Sequence, residues 1–225
     1  MSAIVSVILA AGRGTRMRSP AVHKVCVPLR GEPVVAHAVE TYGRCGISSH
    51  FIVVGHQAEQ VMEAVSAASG SHYFCYQPDP RGTGNAARTA ARLLEEIGWR
   101  SGILVVAGDK VIEDALLRRL IGTFDAAACD LAFVVGNVRD FPSSGRVVHG
   151  ADGRVAGIVE VFDIARMRVL STLDRITRER PMTPDEVQGI ALSHLPNEKK
   201  AALALGALWD IVRGGANLTR EMVEQ

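Results

Sequence analysis

Leu9-Ala10-Ala11-Gly12-Arg13-Gly14-Thr15-Arg16-Met17-Arg18-Ser19-Pro20-Ala21-Val22-His23-Lys24 is the stretch that decides the fold. It follows directly on the apolar run Ala3 to Leu9, a β-branched segment of the kind buried on both faces of a parallel sheet. The run ends, two glycines free the backbone, and three arginines and a lysine follow. Exposed amides plus fixed cations are the chemistry needed to hold a nucleoside triphosphate.

Outward from this stretch, strands and helices alternate. Pro33 to Cys45 fits a helix, with Val34, Val35, Ala38 and Val39 on one side and Gly46 after its end. Phe51 to Val54 reads as a second strand, Gln57 to Ala68 as a helix stopped by Gly70, and His72 to Tyr76 as a third strand. Asn85 to Ile97 is amphipathic, with Ala86, Ala90, Leu93, Leu94 and Ile97 at helical spacing and Gly98 as the stop. Ile103 to Ala107, Asp114 to Phe124 and Asp130 to Val135 predict a fourth strand, a helix and a fifth strand. This alternation predicts an α/β fold: a doubly wound, mostly parallel sheet with helices on both faces.

The rhythm changes after residue 135. Gly145 to His149 and Val155 to Val161 flank an Asp152-Gly153 turn and predict a β-hairpin. Beyond residue 162 the chain reads as helical. Thr183-Pro184-Asp185-Glu186 is a strong helix start, and a further helix is expected from Pro196 to Arg213. The domain reading is therefore a nucleotide-binding α/β domain over 1–162 and a helical insert or extension over 163–225.

Composition narrows the function classes. The chain has 225 residues, 48% hydrophobic and 22% charged. A domain of that size buries roughly 70% of its unfolded surface and needs no staples. A formal net charge of +1 gives no global argument for nucleic acid or a membrane surface, so any anion site must be local. Cys26, Cys45, Cys75 and Cys129 are scattered without a CxxC pair, which suits a reducing, cytoplasmic setting. No feature specifies an oligomeric state.

The glycine loop fits neither familiar dinucleotide nor P-loop pattern. Met17 stands where the dinucleotide fingerprint has its third glycine, and Val54-Gly55-His56 supplies no acid after the second strand. A GxxxxGK[ST] sequence is absent. What favours a ligand site over a solvated basic turn is position, since open α/β sheets bind ligands beyond the carboxyl ends of their strands. Two further loops fall at such ends. Gln77-Pro-Asp-Pro-Arg-Gly82-Thr83-Gly84 follows the third strand; its glycines admit close approach to a planar base, and a glutamine amide can pair with a base edge. Gly108-Asp109-Lys110 follows the fourth strand and offers a carboxylate suited to a hard cation. Each loop alone also reads as a turn or helix cap, the more readily for Asp109; three converging on one sheet edge read as a site.

Leu9 to Met17 with Lys24 resembles the signature of sugar-1-phosphate nucleotidyltransferases, and is most similar to the pyrophosphorylase domain of N-acetylglucosamine-1-phosphate uridyltransferases. Gln77, Gly82-Thr83-Gly84-Asn85-Ala86, Gly108-Asp109, Gly145-Arg146-Val147 and Gly157-Ile158-Val159-Glu160 follow in family order. The resemblance covers residues 3 to about 163. It implies that Leu9, Ala10, Ala11, Gly12, Arg13, Gly14 and Thr15 bind the nucleotide, with the loop wrapped around the triphosphate. It further implies that Arg16 and Lys24 are the catalytic cations, that Gln77, Gly82 and Thr83 read a uracil, that Asp109 holds Mg²⁺, and that Gly145 and Glu160 touch the sugar. The implied reaction joins a sugar-1-phosphate to the α-phosphorus of a nucleoside triphosphate, UTP favoured, and expels pyrophosphate.

The sequence departs from the family pattern at several points. His23 precedes Lys24 where proline is usual, and Pro80 replaces a second glutamine. Lys110 follows Asp109 where an apolar residue is usual, and could salt-bridge the aspartate or contact phosphate. After Glu160 the family's Asn-Thr-Gly strand, its acidic helix and its late metal-binding asparagine are missing. The resemblance thus implies either an N-terminal piece of a longer chain or a lost sugar lobe. Two alternatives follow: a nucleotide-binding regulatory module without catalysis, and a transferase of the same superfamily using CTP or GTP.

Overall fold

The computed structural model describes residues 3–12, 14, 21–79, 81–127 and 129–224. The elements in chain order are β1 (Ile4–Leu9), β2 (Pro28–Leu29), β3 (Glu32–Pro33), α1 (Val34–Arg44), β4 (Ser49–Val54), α2 (Ala58–Val65), β5 (Ser71–Tyr76), α3 (Thr83–Glu96), β6 (Gly102–Ala107), α4 (Asp114–Ala127), β7 (Arg146–His149), β8 (Val155–Val159), α5 (Val161–Thr177), α6 (Pro184–His194), α7 (Glu198–Leu205), α8 (Ala207–Arg213) and α9 (Arg220–Val223). They fall into two compact units, residues 1–134 and 135–225.

The first unit is built on a parallel sheet in the order β5-β4-β1-β6, with Ser6 opposite His50, Leu9 opposite both Val53 and Ala107, and Val54 opposite Tyr76. Alternate side chains feed two separate cores, as a sheet buried on both faces requires. Ile8, Ile52, Val54 and Val106 pack with Val35, Val39 and Tyr42 of α1, Val61 of α2 and Leu117 of α4. Val5, Val7, Phe51, Val53 and Cys75 pack on the opposite face with Ala86, Ala90 and Leu94 of α3. The predicted α/β layering is therefore present, with the edges of predicted helices and strands moved by one to three residues.

Three expectations are corrected. Asp130 to Val135 forms no strand, and β6 is left at the sheet's edge. Leu131, Val134 and Val135 are well exposed, so this run of β-forming composition gains neither burial nor pairing with a described strand. The helix expected from Pro196 to Arg213 is two helices, broken at Gly206, whose φ of 55° and ψ of −127° lie outside the helical region. Pro33, expected as the first residue of a helix, instead closes the small antiparallel pair β2–β3, with α1 starting at Val34.

In the second unit β7 and β8 pair antiparallel, with Arg146 opposite Val159, as the Asp-Gly turn predicts. The helices α5 to α9 share a core of Val169, Leu173, Met182, Val187, Ala191, Ala201, Trp209, Val212 and Leu218. The Thr183 start of α6 is a full capping box: the Thr183 side chain accepts from the Glu186 amide, and Glu186 accepts from the Thr183 amide. The hydrogen bond from Arg180, followed by that from the Thr183 backbone, holds the Glu186 carboxyl down at about 2. No helix among the described residues is long and apolar enough to cross a membrane.

Candidate active site

The carboxyl ends of the strands are locked together one residue beyond the strands themselves. The Ala10 amide donates to Val53, the Gln77 amide to Val54 and the Gly108 amide to Leu9, at 2.8, 2.8 and 2.9 Å. This continuation fixes the three loops singled out in the sequence as one rim. The rim lines a cleft of about 550 Å³ formed by Leu9, Ala10, Ala11, Gly12, Gly14, His23, Lys24, Val25, Gln77, Gly82, Thr83, Ala86, Ala107 and Asp109. Every described residue expected to bind nucleotide or metal in the first unit is thus brought into one cavity. Arg13, Thr15 and Arg16 lie outside the described residues.

Two glycines make the close approaches. Gly14 has φ 59°, and a β-carbon there would lie 3.3 Å from Cβ of Lys24, so the loop's second glycine rests on the lysine stem. At Gly108 a β-carbon would meet Val25 at 3.1 Å and the Leu9 carbonyl at 3.2 Å. The missing side chain lets the turn after β6 close on the end of β1, with Asp109 facing Lys24.

The Lys24 ammonium forms an ion pair with the Asp109 carboxylate. Burial pushes the Asp109 carboxyl up, but the hydrogen bond and charge of Lys24, with Lys110 behind it, outweigh burial and hold it below the usual carboxylate range. The partner of Asp109 is therefore Lys24 rather than Lys110, whose contribution is charge alone. Asp109 is the only carboxylate among the described residues that line the cleft, and no cluster of three or more metal-type ligands occurs among the described residues. One carboxylate is what a Mg²⁺ ion needs when substrate phosphates and water complete its shell.

His23 is a site residue whose environment the sequence did not disclose. It is buried and caps the short 3-10 turn Lys24–Cys26 by accepting from the Val25 amide at its Nδ1, 3.3 Å away. That bond places the proton on Nε2, which is buried without a hydrogen-bond partner among the described residues. Burial lowers its pKa, opposed by the Gly12 backbone and aided by His56. Gln60 of α2 clamps the same segment, accepting from the His23 amide at 2.7 Å and donating to the Ala21 carbonyl at 3.0 Å.

Gln77 is buried at the end of β5, and its Nε2 donates to Oδ1 of Asn85 at 2.6 Å. Gly82 precedes α3 at φ 94° and Thr83 opens the helix. Gly145 and Glu160 lie in the second unit and meet at the base of the β7–β8 hairpin: a β-carbon on Gly145 would be 3.6 Å from Oε1 of Glu160.

Among the described residues, the cleft at the strand ends of this α/β sheet is lined by glycines, one lysine and one carboxylate, at the place where open α/β sheets bind ligands. The chain belongs to the MobA-like NTP transferase domain family, whose model matches residues 6–184. It is 38% identical over 164 residues to the bifunctional protein GlmU of Geobacter metallireducens, covering 72% of this chain and 34% of that protein. To the GlmU of Paraburkholderia phymatum it is 41% identical over 159 residues, covering 70% and 33%. The chain thus spans about a third of the length of the curated relatives it matches. Among solved structures, HddC from Yersinia pseudotuberculosis complexed with GMP-PN superposes with a TM-score of 0.54 at 25% identity, covering 69% of this chain and 68% of that one.

Proposed function

We propose that this protein transfers a nucleotidyl group from a nucleoside triphosphate, UTP favoured, to a sugar-1-phosphate and releases pyrophosphate. The observation that carries the reading is the convergence of Gly12, Gly14, Lys24, Gln77, Gly82, Thr83 and Asp109 on one cleft. The membership of the NTP transferase family supports the nucleotide, and the resemblance to the uridyltransferases supports the acceptor.

In this reading an oxygen of the sugar phosphate attacks the α-phosphorus. The new P–O bond forms as the α–β bridge breaks, and the bridging electrons leave with pyrophosphate. The nucleophile is already an anion, so no general base is required. The barrier is the approach of two polyanions, and positioning with charge neutralisation lowers it. Gly12 and Gly14 offer backbone amides to the phosphates, and Leu9, Ala10 and Ala11 form the floor of the cleft. Lys24 neutralises phosphate charge, for which it exchanges its Asp109 partner for the substrate. Asp109 would then hold Mg²⁺, which supplies electrostatic stabilisation of the phosphate oxygens when bound. Arg13, Thr15 and Arg16 complete the phosphate loop, and Gly145 and Glu160 contact the sugar, on the strength of the family resemblance.

Pyrophosphate release with Mg²⁺, measured across UTP, CTP, GTP and ATP and several sugar-1-phosphates, tests the proposal. Release with UTP and one sugar-1-phosphate is expected. Nucleotide binding without release for any pair would contradict it and favour a non-catalytic nucleotide-binding module, a reading in which the Lys24–Asp109 pair is permanent. Gln77→Ala is expected to reduce the preference for UTP over CTP by roughly tenfold, since a pocket that pairs with a base edge rejects mismatched edges. An unchanged preference would remove Gln77 from base reading.

A further inference from the structure

The Gln77–Asn85 contact joins a buried amide to a half-buried one. Gln77 is 5% exposed and lines the cleft, while Asn85 stands in the first turn of α3. A carboxamide has one oxygen that only accepts and one nitrogen that only donates, and rotation by half a turn exchanges them. With Nε2 of Gln77 turned to Oδ1 of Asn85 at 2.6 Å, the oxygen is the end of the amide left for the cleft. The Gln77 backbone cannot turn with the side chain, because its amide is tied to the Val54 carbonyl at 2.8 Å. The sense of the side-chain amide therefore rests on its partner.

We propose that Asn85 is a positioning residue that holds the Gln77 carboxamide with its oxygen toward the cleft, making the site selective for nucleobases that present an imino N–H. This deepens the nucleotidyltransferase reading and rests on it. Uracil, thymine and guanine carry an N–H at the ring position between their hydrogen-bonding neighbours, and an amide oxygen accepts from it. Cytosine and adenine carry a lone pair at the equivalent position. Against an amide oxygen that lone pair is left unpaired and repelled, and a buried polar group without a partner is costly.

Asn85→Asp presents only acceptors and fixes Gln77 in the sense seen here. Asn85→Ala removes the partner and frees the amide to meet either kind of base. Binding of UTP, CTP, GTP and ATP to the full chain would be measured for the wild type and both variants, with inorganic triphosphate as a base-free control. The wild type and Asn85→Asp are expected to favour UTP over CTP and GTP over ATP. Asn85→Ala is expected to lose about tenfold of that preference with triphosphate affinity unchanged, a ratio that a general loss of structure would not produce. The proposal is overturned if Asn85→Ala keeps the wild-type ratio, or if Asn85→Asp loses it equally. Wild-type binding of triphosphate with no base preference overturns this inference alone, whereas failure to bind triphosphate or any nucleotide overturns the functional reading beneath it as well.

Discussion

Lys24→Ala is expected to lower the turnover of pyrophosphate release by roughly 10²–10³, the loss typical of removing one preorganised electrostatic stabiliser. The lysine stem lies against Gly14 and its ammonium pairs with the Asp109 carboxylate, so its charge stands at the cleft. Two anionic substrates brought together there repel unless fixed positive charge opposes them. At ~1.4 kcal/mol per factor of ten, the expected loss is about 3–4 kcal/mol of transition-state stabilisation. Lys24→Arg keeps the charge and should recover part of the rate. Single-turnover kinetics separates the chemical step from nucleotide binding; equal rates in the alanine variant and the wild type would take Lys24 out of the mechanism.

The second large effect is on stability at low pH. Ser6, His50 and His72 stand side by side across β1, β4 and β5, with Ser6 Oγ 2.7 Å from His50 Nδ1. Tyr42 of α1 lies over the His50 ring at 6.5 Å, and the His72 ring lies 5.7 Å away. Burial, then the neighbouring His72, lowers the His50 pKa to about 4, with Glu40 of α1 opposing. The unfolded chain restores it to about 6.5, so between these values the unfolded state binds more protons and stability rises with pH. The imidazole's contribution is complete above about pH 6.5 and is lost as the pH falls toward 4. The expected loss is about 2 kcal/mol between pH 7.5 and pH 5, and about 3 kcal/mol in full. Urea unfolding at the two pH values measures it. His50→Asn should flatten this part of the pH profile; an unchanged slope would assign the acid sensitivity to other groups.

Much of the first unit was legible because its central strands β1 and β4 are buried on both faces and its loops are punctuated by glycine. The runs at Ile4–Leu9 and Ser49–Val54 carry little besides apolar residues, and burial leaves them few alternatives; Gly102–Ala107 is as apolar, but as the edge strand it leaves Ile103 and Val105 exposed. Asp130 to Val135 shows the limit of that logic. Composition marks a segment that can form a strand, whereas pairing decides whether it does, and pairing is a long-range property. The turn at Arg30-Gly31, with φ 54° and 93°, was illegible for a similar reason, since no propensity places arginine in the left-handed region.

At the candidate site, the convergence of the loops was legible and the couplings between side chains were not. Gly12, Gly14, Gln77 and Asp109 stand in loops that follow strands, and Lys24 was singled out by the family resemblance; all five line one cleft. The sequence did not say that Asp109 would pair with Lys24 rather than with its own neighbour Lys110, because the relevant approach is made by the turn at Gly108 closing on Val25. Nor did it disclose that His23 would be buried with its Nε2 unpartnered among the described residues, or that Gln77 would be held by Asn85. Each of these depends on side-chain direction at the strand ends, which a one-dimensional pattern does not carry.

A crystal structure of the chain with Mg²⁺ and a non-hydrolysable analogue of UTP tests the central claim most directly. The account predicts the triphosphate against the amides of Gly12 and Gly14, the Lys24 ammonium on its oxygens, and the base beside Gln77. A cleft left empty at saturating nucleotide, or a nucleotide seated elsewhere with the Lys24–Asp109 pair intact, would contradict it.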